Sequence, residues 1–82
     1  HDPEARADAS LERQRVSAAL QELPDGLRAV VVLRDIYDLP HEAIASELGI
    51  TEAAAKVRLH RARRKLRERL FPMRGEEEAH AV

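Results

Sequence analysis

Eighty-two residues provide for one small hydrophobic core and not for two. The chain has no cysteine, which removes disulfides and thiolate metal sites and allows a reducing cytoplasm. Its net charge of −1 conceals unlike parts: residues 1–50 set five arginines against ten acids for −5, residues 51–70 set eight cations against two acids for +6, and the remainder adds −2.

A cationic segment on an acidic body marks a polyanion site confined to one place. The longest apolar run, Ala29 to Leu33, is far too short to cross a bilayer, and no signal-peptide layout opens the chain, so a cytoplasmic protein without a membrane partner is expected. Alanine supplies 14 of the apolar residues, which leaves few large side chains for an interior and predicts marginal stability.

Residues 1–9, HDPEARADA, hold no large apolar side chain and are expected to be the disordered end of a linker, with His1 in place of methionine pointing to a piece of a longer protein. Ser10 suits the N-cap of a first helix with Leu11, Val16, Ala19, Leu20 and Leu23 on its apolar side, closed by Pro24. A second helix follows Pro24-Asp25-Gly26 and is expected to bury Leu27, Val30, Val31 and Leu33. The β-branched run Val30-Val31-Val32 would also suit a strand, but no partner segment alternates, so helix is the better reading.

Asp38-Leu39-Pro40 interrupts next, and residues 41–48 turn Ile44, Ala45 and Leu48 to one side before Gly49 offers the left-handed backbone of a sharp exit. Pro40 stands where a capping serine would complete a capping box, so that helix start has to be satisfied in another way. Thr51 caps a fourth and longest helix running to about Leu70, where Phe71-Pro72 stops it. Residues 71–82 read as an acidic flexible tail. The expected fold is all-α: a four-helix domain over residues 10–70, in which Ala45 permits close crossing and the Gly49-Ile50 turn makes a helix-turn-helix.

At 100° per residue, Ala55, Leu59, Ala62, Leu66 and Leu70 of the last helix share one stripe, which docks on the other helices. Opposite lie Ala53, Ala54, Val57, Arg61 and Arg64, flanked by Lys56 and His60 on one side and Arg58 and Lys65 on the other. Compact side chains at the entry and long cations beyond them suit a helix laid in the major groove of a duplex.

The stretch from Leu20 to Leu70 resembles region 4 of a bacterial sigma factor of the extracytoplasmic-function type. Leu23-Pro24, Leu33-Arg34-Asp35, Ile44-Ala45, Leu48-Gly49-Ile50 and the KVRLHRAR run from Lys56 to Arg63 follow that family's pattern in order. The resemblance implies a four-helix domain that recognises the upstream −35 promoter element with its last helix, docks on the flap of the RNA polymerase β subunit, and can be covered by an anti-sigma factor. It assigns promoter contacts to Lys56, Val57, His60 and Arg61, with Arg58 and Arg63 as phosphate or structural cations. Arg34 is a further candidate for a backbone contact, and Arg64 and Thr51 complete the candidate set. Arg63 lies beside the leucine stripe, a place from which it can instead pair with an acid on a neighbouring helix.

No nucleophile stands with a base, and no glycine loop cradles a phosphate, so an enzyme, a cofactor and a small-molecule substrate are not expected. His41-Glu42 lacks the second histidine of a zinc-protease helix, Ala45 standing in its place. Tyr37 and Phe71 are the only aromatics, too few for a single-strand binder that stacks bases. Two alternatives stay open at this point: a response-regulator output domain with its own helix-turn-helix, and a fragment serving mainly as a protein-binding module through shallow alanine-lined grooves.

Overall fold

The computed structural model describes residues 3–72, and over them the chain is helical, with no strand among the described residues. Four helices follow in order: α1, Pro3–Glu22; α2, Asp25–Val31; α3, His41–Leu48; and α4, Glu52–Leu70. A π-helical turn, Val32–Ile36, continues α2 without a break. The proposed acidic tail lies, from residue 73 onward, outside the described residues.

The first helix corrects the expectation that order begins at Ser10. It starts at Pro3, where the missing N–H costs nothing because the first N–H groups of a helix lack intrahelical partners anyway. Glu4 to Ala9 then supply mostly good helix formers, so nothing local stops the helix from extending seven residues before the serine. Its expected apolar side is also only half used. Ala19 and Leu23 are buried, but Leu11 is 58% and Val16 38% exposed, because the core meets α1 only through its last turns.

Pro24 separates α1 from α2 and begins the latter through its carbonyl, which accepts from the N–H groups of Leu27 and Arg28, both at 3.0 Å. At the same corner the Arg28 guanidinium donates to the Gln21 carbonyl and side chain, each at 3.2 Å, and pairs with Asp25, closing the C-terminal end of α1. Val30 and Val31 are buried as expected, while Leu27 and Leu33 pack half-buried at the core's edge.

The widening into a π turn is a feature the sequence did not announce. The Tyr37 N–H reaches the Val32 carbonyl at 3.1 Å and the Leu39 N–H reaches the Leu33 carbonyl at 3.0 Å, with Asp38 in the left-handed region at φ 58°. This exit turns Leu39 back onto the core. Pro40 then starts α3 with no side-chain cap, its carbonyl accepting from Ala43 and Ile44 at 3.0 and 3.1 Å. That is the other way in which this helix start is satisfied.

At the far end of α3, Gly49 adopts φ 66°, ψ 36°. The Ile50 N–H returns to the Ala45 carbonyl at 3.0 Å and the Gly49 N–H to the Ser46 carbonyl at 3.4 Å, the paired bonds of a Schellman motif. Two residues on, the Thr51 side chain accepts from the Ala54 N–H at 3.0 Å and opens α4. The helix-turn-helix thus follows from two local devices, a left-handed glycine and a threonine cap.

The core joins Leu23, Val30, Val31, Ile44, Ala45, Ala55, Leu59 and Ala62. Helix α4 is its keel: Ala55, Leu59 and Ala62 are buried along one stripe against α2 and α3. Burying Leu59 contributes roughly 1.5–3 kcal/mol, enough to fix the rotation of α4 about its axis. Where α4 ends, Arg15 of α1 donates to the Leu70 carbonyl at 2.9 Å and Arg69 pairs with Glu22 at 2.6 Å. A cation from α1 therefore satisfies a carbonyl that the helix itself leaves open.

Candidate nucleic-acid interface

With Ala55, Leu59 and Ala62 buried and Leu66 and Leu70 half-buried on the same stripe, the rotation of α4 is settled and its opposite face is open. Lys56, Val57, His60, Arg61, Arg64 and Lys65 are all exposed, and Ala53 stands exposed one turn before Val57. Among the described residues, Lys56, His60, Arg61 and Lys65 make no hydrogen bond or ion pair. The carboxylates of α4 itself stand at the margins of this face: Glu52 is in the first turn, and Glu68 lies 3.4 Å from Arg64 in an exposed pair one turn further on. The arrangement presents cationic side chains that no neighbour among the described residues pairs with, around a small apolar entry.

The remaining candidates are placed differently. Thr51 is exposed beside the entry, with its hydroxyl oxygen already accepting the cap bond from Ala54. Arg58 is half-buried against α2: a Cβ added at Gly26 would sit 3.2 Å from its Nη1 and 3.7 Å from its Cζ. The bare glycine backbone therefore makes the seat in which this guanidinium rests, an interaction whose only signal in the sequence is a glycine in the first turn of a helix. Arg58 faces the open surface less than its flanking position on the helical wheel suggests.

Arg63 is held by an acid. Its Nε donates to Asp35 Oδ2 at 3.1 Å and its Nη2 to Asp35 Oδ1 at 2.5 Å, the pairing with an acid on a neighbouring element that its place beside the leucine stripe allows. The Asp35 carboxyl is held below the usual carboxylate range, first by this hydrogen bond and also by the charges of Arg63 and Arg34, against an opposing effect of partial burial. Arg34 faces the α2–α3 connection, donating to the Leu39 carbonyl at 3.0 Å with Asp38 3.6 Å away. Its work is to tie down the left-handed exit, and it does not join the face formed by Lys56, His60 and Arg61.

A second surface feature is lined by no residue of α4. An open groove of about 650 Å³ runs between α1 and the α2–π segment, lined by Val16, Leu20 and Val32 with Glu12, Arg13 and Arg28 at its edges. Its lining is predominantly apolar, and it opens where the N-terminal half of α1 leaves the core.

Comparison with known proteins agrees with this geometry. Residues 13–66 match the family model described as sigma-70, region 4. The chain is 40% identical over 70 residues to the ECF RNA polymerase sigma factor SigE of Mycolicibacterium smegmatis, covering 85% of this chain and 24% of that protein. It is 39% identical over 64 residues to the RNA polymerase sigma factor CnrH of Cupriavidus metallidurans, covering 78% and 34%. To the RNA polymerase sigma factor YlaC of Bacillus subtilis it is 31% identical over 75 residues, covering 92% and 43%. The chain thus spans less than half the length of each of these relatives.

Proposed function

The chain belongs to the sigma-70 region 4 family, as region 4 of a sigma factor of the extracytoplasmic-function type, and from that premise we propose that α4 enters the major groove of the upstream −35 promoter element. Membership removes the response-regulator alternative. The reading rests above all on one observation: Lys56, His60 and Arg61 stand exposed and, among the described residues, without partners on the face of α4 opposite its buried stripe.

Within this proposal the side chains divide by reach. Residues in the first turns of a recognition helix meet base edges, and long cations to either side meet phosphates. Lys56, Val57, His60 and Arg61 are the base-edge and inner-wall group; Arg64, together with the hydroxyl proton of Thr51, serves the backbone. Arg58, seated on Gly26, contributes positive potential from the rim. The same domain docks on the flap of the RNA polymerase β subunit in the cytoplasm, and an anti-sigma factor covers it when the factor is silent. The apolar groove between α1 and the π turn supports a protein-docking role on a face separate from the cationic one.

A salt titration tests the DNA reading. If four to six phosphates are neutralised, log affinity for duplex DNA falls with log salt at a slope of about −4 to −5. A flat response between 50 and 200 mM salt, on the order of the range over which such contacts act, would contradict it.

A further inference from the structure

Val57 has no explanation inside the domain. It is 48% exposed, and along α4 it is the one large apolar side chain that is exposed. Single exposed apolar residues are ordinary on protein surfaces, but this position is occupied against the local preference. A β-branched residue is a weaker helix former than the alanines, lysines and arginines around it. It touches none of the core, which runs along the opposite side of the helix through Ala55, Leu59 and Ala62.

Its surroundings say what it is suited to meet. Lys56 and His60 lie to one side, Arg61 to the other, and Ala53 one turn before, all exposed. Two methyl groups thus stand at the centre of the cationic face, and the stiffness of valine at χ1 holds them in a nearly fixed direction. Of the groups that base pairs display in the major groove, the C5-methyl of thymine alone is apolar. Cytosine in its place carries no methyl group at C5, so the apolar contact with valine would be lost.

Resting on the reading of α4 as the promoter-binding helix, we propose that Val57 is a specificity-determining residue that reads the 5-methyl group of a thymine in the recognised site. Ala53 clears the space before it, and the flanking cations fix the register in which the contact forms.

The experiment uses the 82-residue chain and two randomised duplex libraries, one made with thymine and one with deoxyuracil, which differs by the missing methyl alone. The thymine library yields a motif with one fixed thymine; in the deoxyuracil library preference at that position collapses while the others persist. In the best-enriched duplex, a single thymine-to-deoxyuracil exchange weakens binding by about fourfold, the effect of one methyl group brought out of water. Val57→Ser abolishes that difference and Val57→Ile retains it, with circular dichroism confirming unchanged helix content in both. Equal affinity of the wild-type chain for thymine and deoxyuracil at every position of an enriched motif overturns the proposal and leaves the promoter reading standing, as does a difference that survives in Val57→Ser. Failure to enrich any motif overturns both.

Discussion

Arg63 of α4 holds Asp35 of the π turn in a two-pronged ion pair, with both nitrogen-to-oxygen bonds running between elements 28 residues apart in sequence. The pair ties α4 to the segment that precedes the helix-turn-helix, and it sets the direction of a pH response. Because the Asp35 carboxyl titrates below its ordinary range in the folded chain, the unfolded chain takes up that proton first as pH falls. The pair's contribution is therefore complete above the unfolded value of about 3.9 and disappears as pH drops through the depressed native value. With both side chains nearly half exposed, 49% and 40%, it amounts to about 0.2–1 kcal/mol. Asp35→Asn should lower stability in urea by that order at pH 7, and the gap from wild type should close in strongly acidic buffer.

The same pair separates two arginines that the sequence places two residues apart in one cationic run. Arg61→Ala should leave the stability within about 0.5 kcal/mol of wild type, as for an exposed residue without partners among the described residues, and should reduce the magnitude of the salt slope by about 1. Arg63→Ala should do the reverse, lowering the melting temperature while keeping the slope. Parallel thermal melts and salt titrations of the two variants check this, and equal loss of slope in both would assign Arg63 to the phosphates after all.

Gly49 carries the turn between α3 and α4. A Cβ at this residue would meet nothing within 4 Å, so the whole effect of Gly49→Ala comes from the backbone at φ 66°. The expected loss is about 1–2 kcal/mol, read as a fall in melting temperature of about 4–8 °C for each kcal/mol in a domain of this size. Gly49→Asn should lose less, since asparagine tolerates the left-handed region. An alanine variant as stable as wild type would mean that the turn relaxes to another path.

Thr51 combines a cap with a place at the edge of the cationic face. Thr51→Ala removes the acceptor for the Ala54 N–H and should cost about 1 kcal/mol. Thr51→Asp restores a cap and complements the positive end of the helix, so stability should recover, yet it sets a carboxylate where phosphates approach. Duplex affinity should then fall below that of Thr51→Ala. If affinity instead tracks stability through the two variants, Thr51 lies away from the DNA.

Much of this was legible in the sequence because its determinants are local. The Ala55-Leu59-Ala62 spacing fixes which side of α4 is buried, Thr51 and Gly49 mark the helix boundaries, and Pro24 and Pro72 lie beside two helix ends. What escaped depended on groups distant in sequence or on the absence of a stop. The start of α1 at Pro3 was hidden because Ser10 is a fair cap that the helix simply passes through. The π turn has no signature of its own, and arises where Asp38 turns left-handed and Arg34 reaches the Leu39 carbonyl. That reach engages Arg34, the candidate for a backbone contact, within the α2–α3 connection, and the Gly26 seat of Arg58 could be seen only once α2 and α4 were packed.

The groove beside α1 gives a way to separate docking from DNA binding. Val31 is 3% exposed, so a charge there would unfold the domain and prove nothing about partners. Val16, at 38% exposure on the groove wall, is free of that objection. Val16→Asp should change stability by no more than about 0.5 kcal/mol and leave the salt slope for duplex DNA unaltered, because α4 is untouched. Capture by purified RNA polymerase flap should nevertheless drop at least about tenfold, since a carboxylate buried in an apolar contact without a partner costs more than 1.4 kcal/mol. Capture equal to wild type would move the docking surface off this groove, whereas loss of DNA binding along with capture would show that the two faces are not independent.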